Sequence, residues 1–513
     1  MRSSNYRSHY RSVALLLLAA CAAPPRRPAP APAPVVRFLL VNDIYVTDTL
    51  RDGTGGLARV ATLRDSVDRA GRVVFVLAGD VLSPSLLSKW YSGRQMVDGF
   101  NAAGLDYATF GNHEFELPRD TLIARVGQSR FRWVSANCTL ADSTPFPGVR
   151  AWDTLTVGGA RVGIFGLTLT GDYRRYVRCT DPAAAARRAV AELRQAGAQL
   201  VVALTHQTVA DDSLLLAREP AIDLVLGGHE HEAHDVTSAG RRVLKADANS
   251  RSAQVVTLRP AGGGWTTDAR LERVDRRLAF DSTTQRVVRA WTDSLVRRLG
   301  PERVVATAVV PLDARDALSR SQESALGDLV TDAMRVGTGA DVALINSGGL
   351  RLDDVLAAGP ITNYQLESIF LFADETRAVT FPLTGARLRE LLEHSVSDGV
   401  HGHGGFLQVS GVRFRYDPSR PSRGRVVGEL QRRDGRRIGA GDTVRVAMPA
   451  YPACEHGDGY EVPEAADACR RAAAAPRTVD LLLAHVAERL AGRVDVRPEG
   501  RIVRAATAAG STR

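Results

Sequence analysis

A two-lobed α/β (α+β) protein is the fold class this sequence predicts, on three observations. The first is length: 513 residues exceed what a single hydrophobic core organises and suit two. The second is composition: 44% hydrophobic residues, 24% charged residues and 46 Gly are ordinary for a folded mixed chain and exclude a disordered or fibrous one. The third is a repeated grammar in the first half, where short β-branched runs each lead into a polar cluster. Charge adds an exclusion. The net charge is +9, and three of the positive residues, Arg2, Arg7 and Arg11, precede an early apolar run, so the remainder carries 9 − 3 = +6. Almost all the basic residues are arginines; Lys89 and Lys245 are the only lysines. They are scattered rather than gathered into a stripe, which argues against nucleic-acid binding and leaves a small anionic substrate compatible.

The first element, residues 1–20, is an address. An Arg-bearing start is followed by an apolar run over 13–20, only 8 residues long, whereas a membrane-spanning helix takes roughly 20. Leu18-Ala19-Ala20-Cys21 resembles a bacterial lipoprotein box, with Cys21 as the lipidated thiol. The Pro/Ala-rich segment 21–34 then reads as an extended tether holding the body off the membrane. Membrane contact through this anchor alone, and an exported, periplasmic or cell-envelope location, follow. The four other cysteines, Cys138, Cys179, Cys454 and Cys469, fit an oxidising compartment. Cys454 and Cys469 bracket one short segment and are the expected disulfide, leaving Cys138 and Cys179 to pair by elimination. No CxxC occurs, so a thiolate zinc site is not expected.

In the first domain, 35–275, VVRFLLV leads into Asn42-Asp43, RVVFVLA into Gly79-Asp80, YATF into Gly111-Asn112-His113-Glu114, LVVAL into Thr205-His206, and IDLVL into Gly227-Gly228-His229-Glu230-His231. Strands deliver their loops to one place when sites gather at strand ends. Asp carboxylates, an Asn carbonyl and several imidazoles form a ligand set for divalent cations. Two such ions bridged by a carboxylate activate water and clamp a phosphoryl group. A lone histidine is ordinarily a packing residue; four that each follow an apolar run and a polar turn are not.

These motifs, in this order, resemble those of the 5'-nucleotidase family: two-domain enzymes with a calcineurin-like metallophosphoesterase domain and a C-terminal nucleotide-binding domain. Gly55-Gly56-Leu57-Ala58-Arg59 matches a further family turn. The resemblance implies a four-layer β-sandwich flanked by helices for the first domain. It implies that Asp43 and His231 hold one metal ion, that Asp80 bridges both, and that Asn112, His206 and His229 hold the other. The two ions would be divalent, such as Zn, Mn or Co. His113 would stabilise the phosphate in the transition state, its other nitrogen oriented by a carboxylate. The family has Asp for that carboxylate; this chain has Glu116.

A second departure lies in the first motif. The family pattern is Asp-x-His, and here it reads Asp43-Ile44-Tyr45. Tyr45 as a phenolate suits a hard trivalent ion such as ferric iron; alternatively water takes the vacant position, or the first ion is held weakly. A working dinuclear site with altered metal preference is the reading adopted.

Residues 276–300 carry Leu278, Val287, Val288, Trp291, Leu295 and Leu299 at helical spacing and read as an amphipathic connecting helix. The second domain, 301–505, opens with a block around Arg320, and Gly327-Asp328 reads as the start of a helix through Met334. A strand then leads into Asn346-Ser347-Gly348-Gly349-Leu350-Arg351, whose planar guanidinium can grip a phosphate or carboxylate in bidentate fashion. Gly404 to Gly411 reads as structural. The resemblance places Phe372 and Tyr451 as the aromatics that stack a base, Arg320, Asn346 and Arg351 as substrate contacts, and Asp458 at the ribose hydroxyls. Two aromatic faces accept any base. The tail after Ile502 is expected to fray, with 506–513 disordered.

The implied activity is hydrolysis of nucleoside 5'-phosphates by a metal-bound hydroxide, the second domain presenting the phosphate to the metals of the first. Two alternatives stay open here: a UDP-sugar or cyclic-nucleotide phosphodiesterase on the same scaffold, and a non-catalytic nucleotide-binding lipoprotein. Retention of Asp80, Asn112, His113, His206, His229 and His231 argues against the latter.

Overall fold

A computed structural model of the chain describes Met1 and residues 33–171, 173–352, 355–371 and 377–505. Residues 2–32, which include Cys21 and most of the address and tether, lie outside the described residues, as do Phe372 and residues 506–513.

The apolar runs of the first half are too continuous to expose either face, so each strand is covered on both sides. They fold into two sheets. One has seven strands in the order Gly264–Arg273, Ser252–Ala261, Val36–Val41, Val73–Ala78, Tyr107–Thr109, Arg132–Val134 and Val149–Arg150; the other has six, His234–Ser238, Arg241–Lys245, Leu224–Gly228, Leu200–His206, Ala160–Thr168 and Trp152–Val157. Alternation along Val36–Val41 sorts its side chains between layers. Val36, Phe38 and Leu40 meet Val162, Val202, Leu204, Leu224 and Leu226 of the other sheet. Leu39 and Val41 face the opposite way, toward Val60 and Phe100 of the helices Leu57–Asp68 and Arg94–Ala103. The outer face of the six-stranded sheet, through Phe165, Val201 and Val225, packs on the helices Pro182–Gln195 and Val209–Arg218. The result is helix, sheet, sheet, helix in four layers.

Both sheet centres are parallel: Val36–Val41 runs with Val73–Ala78, and Leu200–His206 with Leu224–Gly228. Their carboxyl ends therefore open in one direction, where α/β folds form ligand crevices. The last two strands run past their apolar runs, so His206 is itself the final residue of its strand.

The connecting helix spans Ser282–Leu299 rather than all of 276–300, because the Asp281 carboxylate accepts from the Thr284 N–H at 2.7 Å and fixes the N-terminus there. Val288 and Leu295 are buried, and the helix packs on Arg94–Ala103 and Leu57–Asp68. Beyond it, one four-stranded sheet orders Ala378–Thr384, Thr443–Pro449, Val342–Asn346 and Leu407–Ser410; another orders Arg437–Ile438, Val426–Arg432, Val412–Tyr416 and Ile502–Arg504. The helix expected from Gly327 starts at Ala325 and runs to Thr338, since Ser324 caps it by accepting from the Gly327 N–H at 3.0 Å. The chain after Ile502 does not fray at once. Ile502–Arg504 pairs with Val412–Tyr416, and the Glu323 carboxylate accepts from the N–H groups of Glu499, Gly500 and Ile502. Disulfides join Cys138 to Cys179 and Cys454 to Cys469. Among the described residues no helix is long and apolar enough to cross a membrane.

Candidate functional site

The strand ends of the first lobe bring Asp43, Tyr45, Asp80, Asn112, His113, His206, His229 and His231 to one place. Four of them, Asp43 (φ 54°), Asp80 (φ 55°), His229 (φ 99°) and His231 (φ 63°), hold the left-handed backbone region that non-glycine residues avoid. Such conformations cost about 1–3 kcal/mol each and persist where the surroundings enforce them. Close approach enforces them here. A Cβ on Gly111 would lie 2.0 Å from Asp80 Oδ1, and one on Gly228 would lie 2.4 Å from the Ala78 carbonyl and 2.9 Å from Asp43 Oδ2. The glycines of these loops are therefore space for the neighbouring ligand loop.

Each side chain has one atom held and one turned inward. Asp43 Oδ2 accepts from Asn42 Nδ2 at 2.7 Å and from the His229 N–H at 2.9 Å, while Oδ1 is buried with no hydrogen-bond partner among the described residues. His206 Nδ1 lies 2.8 Å from the Ala78 carbonyl, so Nδ1 carries a proton and Nε2 is directed to within 3.1 Å of Asp80 Oδ2 and 3.9 Å of Asp43 Oδ1. Asp80 Oδ1 accepts from the His113 N–H at 2.9 Å. Asn112 Oδ1 is also buried without a partner among the described residues. One ligand atom from each of Asp43, Asp80 and His206 fits within 4.8 Å of the others. His231 Nε2 lies 3.5 Å from Asp43 Oδ1, and the His206 and His229 rings are 5.2 Å apart.

The charge balance of this cluster favours cations. Burial opposes protonation of His206, yet Asp80 and Asp43 outweigh it and raise its pKa to about 10. Burial likewise opposes ionisation of Asp80, yet His206 and His113 hold its carboxyl well below the usual range. Orphaned buried oxygens, an aimed imidazole nitrogen and anions this strong fit divalent ions. Tyr45 stands inside the cluster, its hydroxyl 3.2 Å from Asp80 Oδ2 and 3.1 Å from His231 Nε2. Burial, then Asp80 and Asp43, push its phenol well above the ordinary value.

Glu116 reaches the position the dyad requires. Its Oε1 lies 2.7 Å from His113 Nδ1, and Ser83 donates to Oε2 at 3.0 Å. Burial disfavours the Glu116 anion, but His113 and Arg351 bring its pKa down to about 2. Burial resists charge on His113 too, and Glu116 with Asp80 raise it to about 9. The longer carboxylate has a consequence: Arg351 of the second lobe donates to Glu116 Oε1 at 2.6 Å.

The second lobe gathers a cluster of its own around that arginine. Asn346 Nδ2 donates to Asp458 Oδ2 at 2.8 Å. Burial lifts the Asp458 pKa, opposed by Asn346, Arg351 and Arg320. Arg320 is ion-paired with Asp316. The Tyr451 ring lies against Gly457, where a Cβ would approach it to 2.5 Å, next to Asp458, itself at φ 53°. Lys89 and Glu367 form a buried ion pair at 2.8 Å across the lobes.

Three residues outside the expected ligand set organise it: Asn42, Glu114 and Lys245. Glu114 accepts four N–H groups, from Asp80, Val81, Leu82 and Gly111, at 2.6–2.9 Å. The GNHE block contained it, but its role depends on a loop more than thirty residues away.

Two family models match the chain: calcineurin-like phosphoesterase over residues 36–233 and the 5'-nucleotidase C-terminal domain over residues 304–465, together more than half its length. The chain belongs to the 5'-nucleotidase family. Among curated relatives of this family, a 5'-nucleotidase of Bos taurus is 27% identical over 417 residues, 73% of this chain and 72% of its own. Protein 5NUC of Lutzomyia longipalpis is 26% identical over 413 residues, 71% of each. A 5'-nucleotidase precursor from Thermus thermophilus superposes with a TM-score of 0.75 at 26% identity, covering 92% of this chain and all of that one. The 5'-nucleotidase-like chain is thus a metal-dependent phosphoester hydrolase, and Asp43, Asp80 and His206 form a site compatible with its divalent ions.

Proposed function

We propose that the protein hydrolyses nucleoside 5'-phosphates to nucleoside and phosphate. The observation that carries this reading is the contact between Arg351 and Glu116, which apposes the anion-gripping arginine of one lobe to the His113 dyad and cation cluster of the other. Asp43, His231 and Tyr45 would hold one ion, Asn112, His206 and His229 the other, with Asp80 between them. When bound, the ions supply Lewis acidity toward the phosphoryl group and lower the pKa of water. Arg351, with Asn346 and Arg320, orients the phosphate. His113 donates a hydrogen bond to a phosphoryl oxygen as charge develops there, and Glu116 keeps its Nδ1 proton in place. Tyr451 and Phe372 stack the base and Asp458 accepts from the ribose hydroxyls.

This reading takes 35–275 and 301–505 as the two domains, joined through 276–300. It takes the protein as exported and anchored through Cys21, a compartment with which two disulfides agree. Its test is phosphate release from a panel of nucleoside 5'-monophosphates, 3'-monophosphates, UDP-sugars and cyclic nucleotides, with elemental analysis of the wild type and Tyr45→His. The expected result is chelator-sensitive hydrolysis favouring 5'-monophosphates, with the metal complement altered by Tyr45→His. Chelator-resistant turnover, or preference for another phosphoester, overturns it.

A further inference from the structure

Lys245 ends the strand Arg241–Lys245, whose neighbour in register is Gly227 of the strand leading to His229. Its side chain is wholly buried and passes beneath the loops of the six-stranded sheet. The ammonium donates to the Gln207 carbonyl at 2.6 Å, the Gly228 carbonyl at 2.7 Å and Glu230 Oε2 at 2.6 Å, with Asp212 Oδ2 at 3.0 Å. Gln207 directly follows His206, and the Gly228 carbonyl belongs to the peptide bond that leads into His229. Glu230 also accepts from the Val209 N–H, so the loop after His206 is held from two directions. Gly227 leaves the space this takes: a Cβ there would lie 2.9 Å from Lys245 Cε.

The arrangement mirrors Glu114. That carboxylate gathers N–H groups from the Asp80 and Gly111 loops, and the ammonium gathers carbonyls from the His206 and His229 loops. One buried anion and one buried cation thus brace opposite sides of the same cluster. Burying a lone ammonium is costly, and an ion pair with Asp212 alone would leave most of its protons unused; two of the three go to backbone carbonyls at the two imidazole loops and the third to Glu230.

We propose that Lys245 is a positioning residue that fixes the separation and aim of His206 and His229, and thereby the affinity for the cation they share. The proposal rests on the metal-site reading above, and the test separates the two. Co²⁺ is titrated into metal-free wild type, Lys245→Met and Glu230→Gln against a competing chelator, with its visible absorption recorded and folding followed by circular dichroism. Wild type is expected to bind Co²⁺. Lys245→Met is expected to bind the ion shared by His206 and His229 about 10- to 100-fold less tightly, with an altered spectrum, and hydrolysis restored by excess metal. Glu230→Gln, which removes one acceptor and keeps the lysine, is expected to weaken binding by about 10-fold, the low end of that range, and it carries the test if Lys245→Met fails to fold. Unchanged affinity and spectrum in a folded variant overturn the proposal, even if its melting temperature falls. Absence of Co²⁺ binding by wild type overturns the metal reading and this proposal with it.

Discussion

In the first lobe, the atoms suited to chemistry point inward without internal partners: Asp43 Oδ1 and Asn112 Oδ1 are buried and unbonded among the described residues, and His206 Nε2 has no well-aligned hydrogen bond. In the second lobe the polar side chains pair with one another, Asn346 with Asp458, Arg320 with Asp316, and Arg351 across the lobes with Glu116. The first arrangement is preorganised for a permanent guest. A ligand entering the second would have to displace these pairs, which would cost affinity. The lobes differ in the same way over their buried acids. Asp80 is kept ionised by His206 and His113, against its burial, whereas burial, against the pull of Arg501, raises Asp328 in the second lobe to about 9 and keeps it protonated at neutral pH.

Three substitutions probe this contrast. The largest effect is expected for His113→Ala, which should lower kcat by about 10²–10³-fold while metal content stays near that of the wild type; loss of metal in elemental analysis would move His113 from the chemistry to the cage. Arg351→Gln should act on binding, raising KM by about 10- to 100-fold, the worth of a charged hydrogen bond, with a smaller change in kcat. A collapse of kcat with KM unchanged would show instead that Arg351 serves the dyad through Glu116. The smallest effect concerns stability. Asp328 has a folded pKa of about 9, above the unfolded value of about 3.9. Its contribution is therefore fully present below the unfolded pKa and is lost as pH rises through the folded one. Asp328→Asn should flatten the fall in melting temperature between pH 5 and 9 by a few degrees; parallel curves for the two proteins would assign that slope elsewhere.

Much of the first lobe was legible because its strands are short apolar runs and its ligands follow them directly, as in Gly79-Asp80 and Gly111-Asn112-His113. What the chain does not announce are features made by contact at long range. The left-handed backbone of Asp43 and Asp80 has only a weak local signature, since Asp adopts that region more readily than most residues but seldom does so. Glu116 reads as a departure from the family's aspartate until Arg351, 235 residues away, is seen to share its oxygen. Lys245 follows the strand-like RRVL and looks like a solvated end; its rarity in an arginine-rich chain was the available signal. The helix starts at Ala325, two residues before the expected Gly327, because Ser324 rather than the Gly-Asp pair satisfies the first-turn N–H groups. The tail's strand is invisible locally, because Glu323 supplies its anchor.

Both lysines are out of the solvent's reach. Lys89 is sealed between the lobes and Lys245 under the loops, with side-chain exposures of 1% and 0%. Acylating reagents that seek ε-amines thus find neither in the closed fold. Modification at Lys89 would require the contact between the lobes to open, and modification at Lys245 the loops at the strand ends, so the two native amines report on two different regions.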